Sequence, residues 1–105
     1  MRYDFISGGI ATDAGTWISA NELEGVLESL EIDGSFVGTI KLDATNVTDP
    51  NTTPPTSPYN LVTDTGPNIY DISGRYEWYR VSITAYTSGT INVFGSRRGP
   101  YGWDR

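Results

Sequence analysis

The sequence of 105 residues contains no cysteine and no histidine. Without cysteine the chain has no disulfides, no thiolate metal ligands and no thiol nucleophile, and its redox compartment is not indicated. Without histidine it lacks the commonest general base and the commonest metal ligand, which excludes Ser-His-Asp chemistry and most transition-metal sites. The composition therefore predicts a protein that is not an enzyme and that carries no cofactor or metal.

Long apolar runs are also missing. No run approaches the roughly 20 residues that a membrane span needs. The first residues, Met-Arg-Tyr-Asp-Phe-Ile-Ser, lack the apolar core of a signal peptide. We therefore expect a soluble protein that is made in the cytoplasm and has no membrane partner.

The residues that remain favour strands over helices. The chain has 12 Gly and 6 Pro and is rich in Thr, Ser, Val, Ile and Tyr, with one Met and one Lys. β-Branched and aromatic residues fit a pleated sheet, and glycine and proline mark turns. The length suits one domain with one core. We predict a single all-β domain over residues 1–105, an antiparallel β-sandwich of about six to eight strands with jelly-roll-like topology.

Charge is unevenly distributed along the chain. Residues 1–72 carry 11 acids against two bases, and residues 73–105 carry five arginines against two acids. The net charge of −6 therefore divides into −9 and +3. An acidic and a basic end suit contacts between copies or docking on a larger partner, and chance sorting of charge among strands is an equally weighted alternative.

The stretch from Arg75 to Gly95 predicts a hairpin. Its loop is Thr87-Ser88-Gly89, where glycine supplies the positive φ that a three-residue loop requires. Pairing Tyr86 with Thr90 gathers the aliphatic residues of both strands on one face. We predict that this face is core: Val81, Ile83, Ala85, Ile91 and Val93.

The other face of that hairpin is aromatic and basic. Strict alternation places four large side chains there: Trp78, Arg80, Tyr86 and Phe94. These residue types are enriched at the centres of protein interfaces, and aromatic platforms also bind sugars. Three interpretations stay open, namely cover by the chain's own arm or loop, a protein interface, and a glycan site.

A second hairpin is predicted from residues 26–32 and 36–42. A two-residue Asp33-Gly34 turn would split the apolar faces, whereas a three-residue loop pairs Ile32 with Phe36. We favour the second register. It leaves Glu28 on the buried face, where its carboxylate requires solvent or a partner.

Three segments lie outside these hairpins. Residues 1–15 are glycine-bearing and predict an extended arm, with one short strand around residues 3–6. Residues 44–67 predict a long polar loop, because four prolines fall within residues 50–58 and inner strands exclude proline. A short strand is expected near residues 61–62. Candidate contacts from the arm and loop are Tyr3, Phe5, Pro54, Pro55 and Tyr59.

Residues 96–105 predict a basic, aromatic tail. Its candidate interface residues are Arg97, Arg98, Tyr101 and Trp103. Guanidinium groups and rings also suit nucleic acid, but the acidic remainder of the chain opposes that partner electrostatically. We expect the tail to pack on its own or a neighbouring subunit, and we expect no nucleic-acid partner.

Two stretches resemble the small β-sandwich structural proteins of tailed-phage virions. Residues 30–42, Leu-Glu-Ile-Asp-Gly-Ser-Phe-Val-Gly-Thr-Ile-Lys-Leu, are similar to a hairpin of that family. Residues 78–91, Trp-Tyr-Arg-Val-Ser-Ile-Thr-Ala-Tyr-Thr-Ser-Gly-Thr-Ile, are similar to its closing hairpin. Together they cover about a quarter of the chain.

The resemblance implies a role in a virion. Such proteins serve as capsid cement or decoration proteins, often trimeric, and as tail or fibre modules. We expect a decoration protein that bridges neighbouring major capsid subunits and forms a homotrimer. The alternative is a tail or fibre module that binds a host glycan through Trp78, Tyr86 or Tyr101.

Overall fold

Two four-stranded antiparallel sheets pack face to face, so the predicted β-sandwich is confirmed. The computed structural model describes residues 2–23 and 25–98. Sheet A has the strand order β1-β8-β3-β6, and sheet B has the order β2-β7-β4-β5. The elements are β1 (Arg2–Gly9), β2 (Ile18–Ser19), α1 (Ala20–Leu23), β3 (Val26–Asp33), β4 (Phe36–Thr45), β5 (Tyr59–Asp64), β6 (Asn68–Asp71), β7 (Trp78–Gly89) and β8 (Ile91–Arg98).

The strand pairing is nested around the connection from β4 to β5. Strand β1 pairs with β8, β2 with β7, β3 with β6, and β4 with β5. The connection from β4 to β5 joins two strands of the same sheet, and all the remaining connections pass from one sheet to the other. Most consecutive strands therefore face each other across the core instead of pairing side by side.

Both predicted hairpins are wrong for this reason. Strands β7 and β8 lie in different sheets, and β7 pairs with β4 while β8 pairs with β1 and β3. Strands β3 and β4 are separated in the same way. The turns at residues 34–35 and 89–90 are corners between sheets.

The two corners pack against each other through their backbones. Gly34 and Gly89 have φ angles of 114° and 93°, in the region that favours glycine. A Cβ on Gly34 would overlap the carbonyl oxygen of Thr90, and one on Gly89 would overlap that of Ser35. The Thr90 amide donates to the Ser35 carbonyl at 3.0 Å. Glycine is needed here for close approach as well as for φ.

A β-bulge in β7 decides how far the core face extends. Ile83 pairs with Ile40 and Ala85 pairs with Thr39, which leaves Thr84 as the extra residue. Ile83 is buried as predicted, but Ala85 is exposed, so its predicted place in the core is wrong. The extra residue reverses the alternation of faces beyond it.

A second bulge removes the predicted conflict at Glu28. Leu27 pairs with Arg97 and Ser29 with Ser96, so Glu28 is the extra residue of β3. Leu27 therefore enters the core in place of Val26, and Glu28 is half-buried instead of facing Ile40. The hydrophobic core consists of Leu23, Leu27, Leu30, Ile32, Ile40, Leu42, Ala44, Val62, Tyr79, Val81, Ile83, Ile91 and Val93.

Most of the predicted arm is built into the sandwich. Strand β1 pairs with β8 along its length, and Tyr3 and Phe5 pack against the core with ring centroids 5.0 Å apart. Arg2 and Asp4 alternate with them and face outward. The prediction of an extended arm over residues 1–15 is corrected, because this alternation makes a strand.

The proline-rich segment is shorter than predicted. Strand β4 continues to Thr45 and β5 begins at Tyr59, so the connection spans residues 46–58. The strand expected near residues 61–62 is confirmed as β5. Pro50 is buried, and the Asp49 carboxylate accepts hydrogen bonds from the Asn51 amide and the Thr52 hydroxyl at 3.1 and 2.8 Å. The segment is therefore anchored by its own polar groups.

Asp64 organises the corner between β5 and β6. Its carboxylate accepts hydrogen bonds from the Tyr70 hydroxyl, the amides of Thr65 and Gly66, and the Asn68 side chain. The bond from Tyr70 is the main cause that lowers the pKa of Asp64, and Asp64 in turn raises the pKa of Tyr70. The carboxylate and the neutral phenol are thus favoured together.

Tyr70→Phe is expected to reduce the pH dependence of stability at both extremes. The Asp64 contribution is present above its usual pKa of 3.8 and is lost as pH falls through the lowered value. The Tyr70 contribution is present below its usual pKa of 10.0 and is lost as pH rises through the raised value. Solvent exposure limits each effect to below about 1 kcal/mol. Urea unfolding from acid to alkaline pH measures the free energy of unfolding at each pH, and Tyr59→Phe is the control. If that free energy depends on pH in the same way for Tyr70→Phe and the wild type, the hydrogen bond between Tyr70 and Asp64 does not have the proposed role.

Candidate protein interface

A row of side chains crosses the outer face of sheet B. Arg80 lies at its centre, with its guanidinium carbon 4.5 Å from the centroid of the Trp17 ring. Arg80 Nη2 is 3.4 Å from Asp43 Oδ2, and Asn60 Nδ2 donates to Asp43 Oδ1 at 3.1 Å. Trp17 and Asp43 are 6% and 4% exposed. Arg80 is therefore engaged on both sides, although its Nε is buried without a hydrogen-bond partner among the described residues.

The chain's own residues 13–19 provide this cover. Asp13 and Ile83 exchange two backbone hydrogen bonds of 3.0 and 2.8 Å, and Ile18 pairs with Tyr79. Gly15 has a φ of 77°, and a Cβ there would overlap the Val81 carbonyl oxygen. This close approach holds the segment against the edge of β7. Three interpretations were open for the aromatic face. At Arg80 the structure shows the first of them, since Trp17 of the same chain lies against its guanidinium group.

The four residues predicted to share one face are divided among three places. Trp78 and Arg80 remain on the outer face of sheet B, where Trp78 is half-buried. The bulge turns Tyr86 inward, so that its ring packs against the core and its hydroxyl donates to the Gly89 carbonyl at 2.7 Å. Phe94 lies on the outer face of sheet A, because β8 belongs to the other sheet. The predicted common face is therefore wrong.

The remaining predicted contacts are scattered. Tyr59 is 61% exposed, and its ring centroid lies 5.6 Å from that of Tyr76. Pro54 is exposed and Pro55 is half-buried in the connection from β4 to β5. Tyr3 and Phe5 are half-buried and pack against the core, and both line a pocket of about 300 Å³ with Asp13, Gly15 and Thr16.

The predicted tail contacts can be placed only in part. Arg97 and Arg98 end strand β8, opposite Leu27 and Val26. Their side chains are outside the part of the structure that is described. Tyr101 and Trp103 fall outside the described residues altogether, so their candidate contacts stay predictions.

The described residues leave part of the outer face of sheet A exposed. The strand register aligns four side chains across all four strands, in the order Asp4, Phe94, Glu31 and Ile69. Ile69 is 66% exposed. A shallow groove of about 440 Å³ is lined by Phe94, Glu31 and Ile69 of this row together with Arg2, Ser29, Gly95 and Ser96. We call the surface formed by Arg2, Asp4, Glu31, Asp33, Ile69, Asp71 and Phe94 the sheet A face.

The charges of the sheet A face are mostly acidic. Arg2 Nε is 2.8 Å from Asp4 Oδ1, and the Arg2 guanidinium carbon lies 4.1 Å from the centroid of the Phe94 ring. The other carboxylates of the face, Glu31, Asp33 and Asp71, form no ion pair with any described side chain. The face therefore combines an aromatic ring, an exposed aliphatic side chain and three carboxylates that have no ion pair among the described side chains.

Sequence reasoning identified Phe94 but missed Arg2, Glu31 and Ile69. Alternation along β3 does predict that Glu31 points away from the core, because its neighbours Leu30 and Ile32 point into it. What joins the residues of the face is pairing between strands distant in the chain, since β8 lies between β1 and β3. Local patterns do not specify such long-range neighbours.

Among the residues described, no group of three or more Asp, Glu, His or Cys side chains is arranged to hold a metal ion. Residues 2–23 and 25–98 likewise include no helix that is both long and apolar enough to cross a membrane. We compared the chain with protein-family models, with curated proteins and with solved structures, and none of the three comparisons found a match.

Proposed function

We propose that this protein is a non-enzymatic structural component of a phage virion, a decoration protein that docks on major capsid subunits and holds neighbouring subunits together. The proposal continues the family resemblance of residues 30–42 and 78–91. Two features of the structure support the proposal. One is the order of the strands, and the other is the sheet A face, which the described residues leave partly exposed.

The strand order supports the family assignment. Eight strands that pair as β1–β8, β2–β7, β3–β6 and β4–β5 form a long antiparallel ribbon rolled into two sheets. We interpret this nested order as a jelly roll, an architecture found in viral capsid domains. Folds host many functions, so the order alone does not specify the role.

The observation that carries the proposal is the difference between the two outer faces. On sheet B, Trp17 lies over Arg80 and is almost completely buried, and Arg80 in turn contacts the buried Asp43. On sheet A, Phe94 is only half-buried, and Ile69 is exposed beside carboxylates that form no ion pair with any described side chain. A surface that combines an aromatic ring and exposed aliphatic side chain with unpaired charge suits a macromolecular partner.

The glycan-binding alternative finds no comparable support. Of its candidate rings, Tyr86 packs inward against the core, which leaves Trp78, half-buried on the outer face of sheet B, as the one candidate ring among the described residues. Tyr101 lies outside the described residues. We therefore propose docking on protein subunits as the function.

Co-sedimentation with capsid shells that lack the protein tests this function. We expect saturable binding to bare shells, little further binding to shells already decorated, and a homotrimer in solution by light scattering. Decorated shells serve as the control for non-specific adsorption. If the folded wild-type protein stays in the supernatant with bare shells across a range of salt concentrations, the proposed function is wrong.

A further inference from the structure

We propose that the sheet A face binds a segment of the partner protein that carries arginine or lysine side chains. This inference rests on the proposed function, since it names the surface and the chemistry by which docking would occur. The occupant is a basic protein segment.

Charge complementarity is the first argument. Among the described side chains, four carboxylates lie on the sheet A face against one cation, that of Arg2, which is already paired with Asp4. Glu31 is half-buried between Phe94 and Ile69, its register neighbours on the adjoining strands. A carboxylate that is partly desolvated and lacks an ion pair attracts a cation more strongly than a fully solvated one.

The face itself shows how it holds a guanidinium group. Arg2 lies over the Phe94 ring at 4.1 Å and contacts the Asp4 carboxylate at 2.8 Å. On the opposite face, Arg80 lies over Trp17 and contacts Asp43 in the same manner. An arginine that lies over a ring while its guanidinium group contacts a carboxylate therefore occurs twice among the described residues.

The next position along the row has a carboxylate beside aliphatic surface instead of a ring, and no described cation lies there. Ile69 presents exposed aliphatic surface beside Glu31, with Asp71 two residues further along β6 on the same face. The methylene stems of arginine and lysine cover apolar surface while their charged ends reach a carboxylate. An incoming basic side chain would lie on Ile69 and bind Glu31 or Asp71.

Charge reversal on the face tests the inference. We expect Glu31→Lys combined with Asp71→Lys to weaken shell binding by about tenfold or more, because like charges then meet across the interface. Glu22→Lys combined with Glu77→Lys changes the net charge equally at exposed positions outside the sheet A face and should bind within about twofold of wild type. Equal binding by the two double variants would overturn the inference while leaving the proposed function intact.

A milder variant addresses the apolar part of the face. We expect Ile69→Ser to weaken shell binding several-fold, and Val37→Ser, whose parent side chain is 59% exposed on sheet B, to have no effect. Both positions are exposed, so folding should survive in each. If reversal at Glu31 and Asp71 dissociates the trimer and shell binding is lost only for that reason, the occupant is a second copy and the inference is wrong.

A peptide probe separates this inference from the function. A short extended peptide with two arginines should shift the amide resonances of Glu31, Ile69 and Phe94 saturably, and the same peptide with glutamates should not. Shifts with the wild type but not with the charge-reversed variant support the inference even if bare shells are not bound. No saturable shift, or equal shifts with both proteins, would overturn it.

Discussion

Gly89→Ala is expected to lower the free energy of unfolding by more than about 3 kcal/mol. A residue with a Cβ at a φ of 93° incurs a conformational cost of about 1–2 kcal/mol. The new Cβ would also lie 2.5 Å from Phe36 Cα and closer still to the Ser35 carbonyl oxygen. Both are backbone atoms of the facing corner, so relief requires the two corners to separate. Separation would break the bond from the Thr90 amide to Ser35, worth about 1 kcal/mol.

Substitutions at two other glycines separate the conformational cost of Gly89→Ala from its steric cost. Gly8 has a φ of 70° and no atom within 4 Å of a built Cβ, so Gly8→Ala reports the conformational cost alone. Gly66 has neither a positive φ nor a close neighbour, and Gly66→Ala should change stability by less than about 0.5 kcal/mol. Urea unfolding of the three variants measures the series. If Gly89→Ala costs no more than Gly8→Ala, the corners do not pack as described.

The same two corners show what local sequence does and does not determine. Val81, Ile83, Ile91 and Val93 were predicted to face the core, and they do. The error concerned the strand beside them. A strand that buries one face has the same alternation whether its chain neighbour lies beside it or across the core. Gly89 fits both a hairpin loop and a corner, so the turn did not distinguish them.

Bulges account for a second class of error. Ala85 and Tyr86 were assigned to faces by strict alternation, and the extra residue Thr84 exchanged those faces. Glu28 shows that such a bulge sometimes leaves a trace in the sequence. A glutamate within an otherwise apolar face is a conflict, and an extra residue at that position resolves it by moving the carboxylate out of the core.

The residue types of the candidate interface were predicted only in part, and its location was not. Arg80 and Phe94 were among the predicted residues, and they form ring contacts with Trp17 and Arg2, neither of which was predicted. Whether these residues bind a partner stays a prediction. Which of these contacts is internal depends on whether residues 13–19 cover one sheet. That depends on Gly15 and on two backbone hydrogen bonds to Ile83, which no local pattern reports.

Trp17→Ala is expected to cost about 3 kcal/mol, because large aromatic side chains that are nearly fully buried cost about that much or more when truncated. Trp17 is 6% exposed, and its ring covers the guanidinium group of Arg80. Its loss would admit water to the contact between Arg80 and Asp43. Trp78→Ala, at the half-buried neighbour on the same face, should cost less than half as much. Chemical unfolding of the two variants gives the comparison, and equal costs would show that residues 13–19 do not seal this face.

A double-mutant cycle isolates the ring contact from general burial. With Trp17→Ala and Arg80→Ala as the single changes, we expect a coupling free energy of about 0.5–2 kcal/mol. The contact is largely shielded from solvent, since Trp17 is 6% exposed and the Arg80 side chain is 29% exposed. Coupling should therefore change little when salt is raised from low to physiological concentration. A coupling near zero would mean that Trp17 stabilises the protein only through burial. Arg2 over Phe94 would then be the one remaining contact among the described residues that supports arginine binding at the sheet A face.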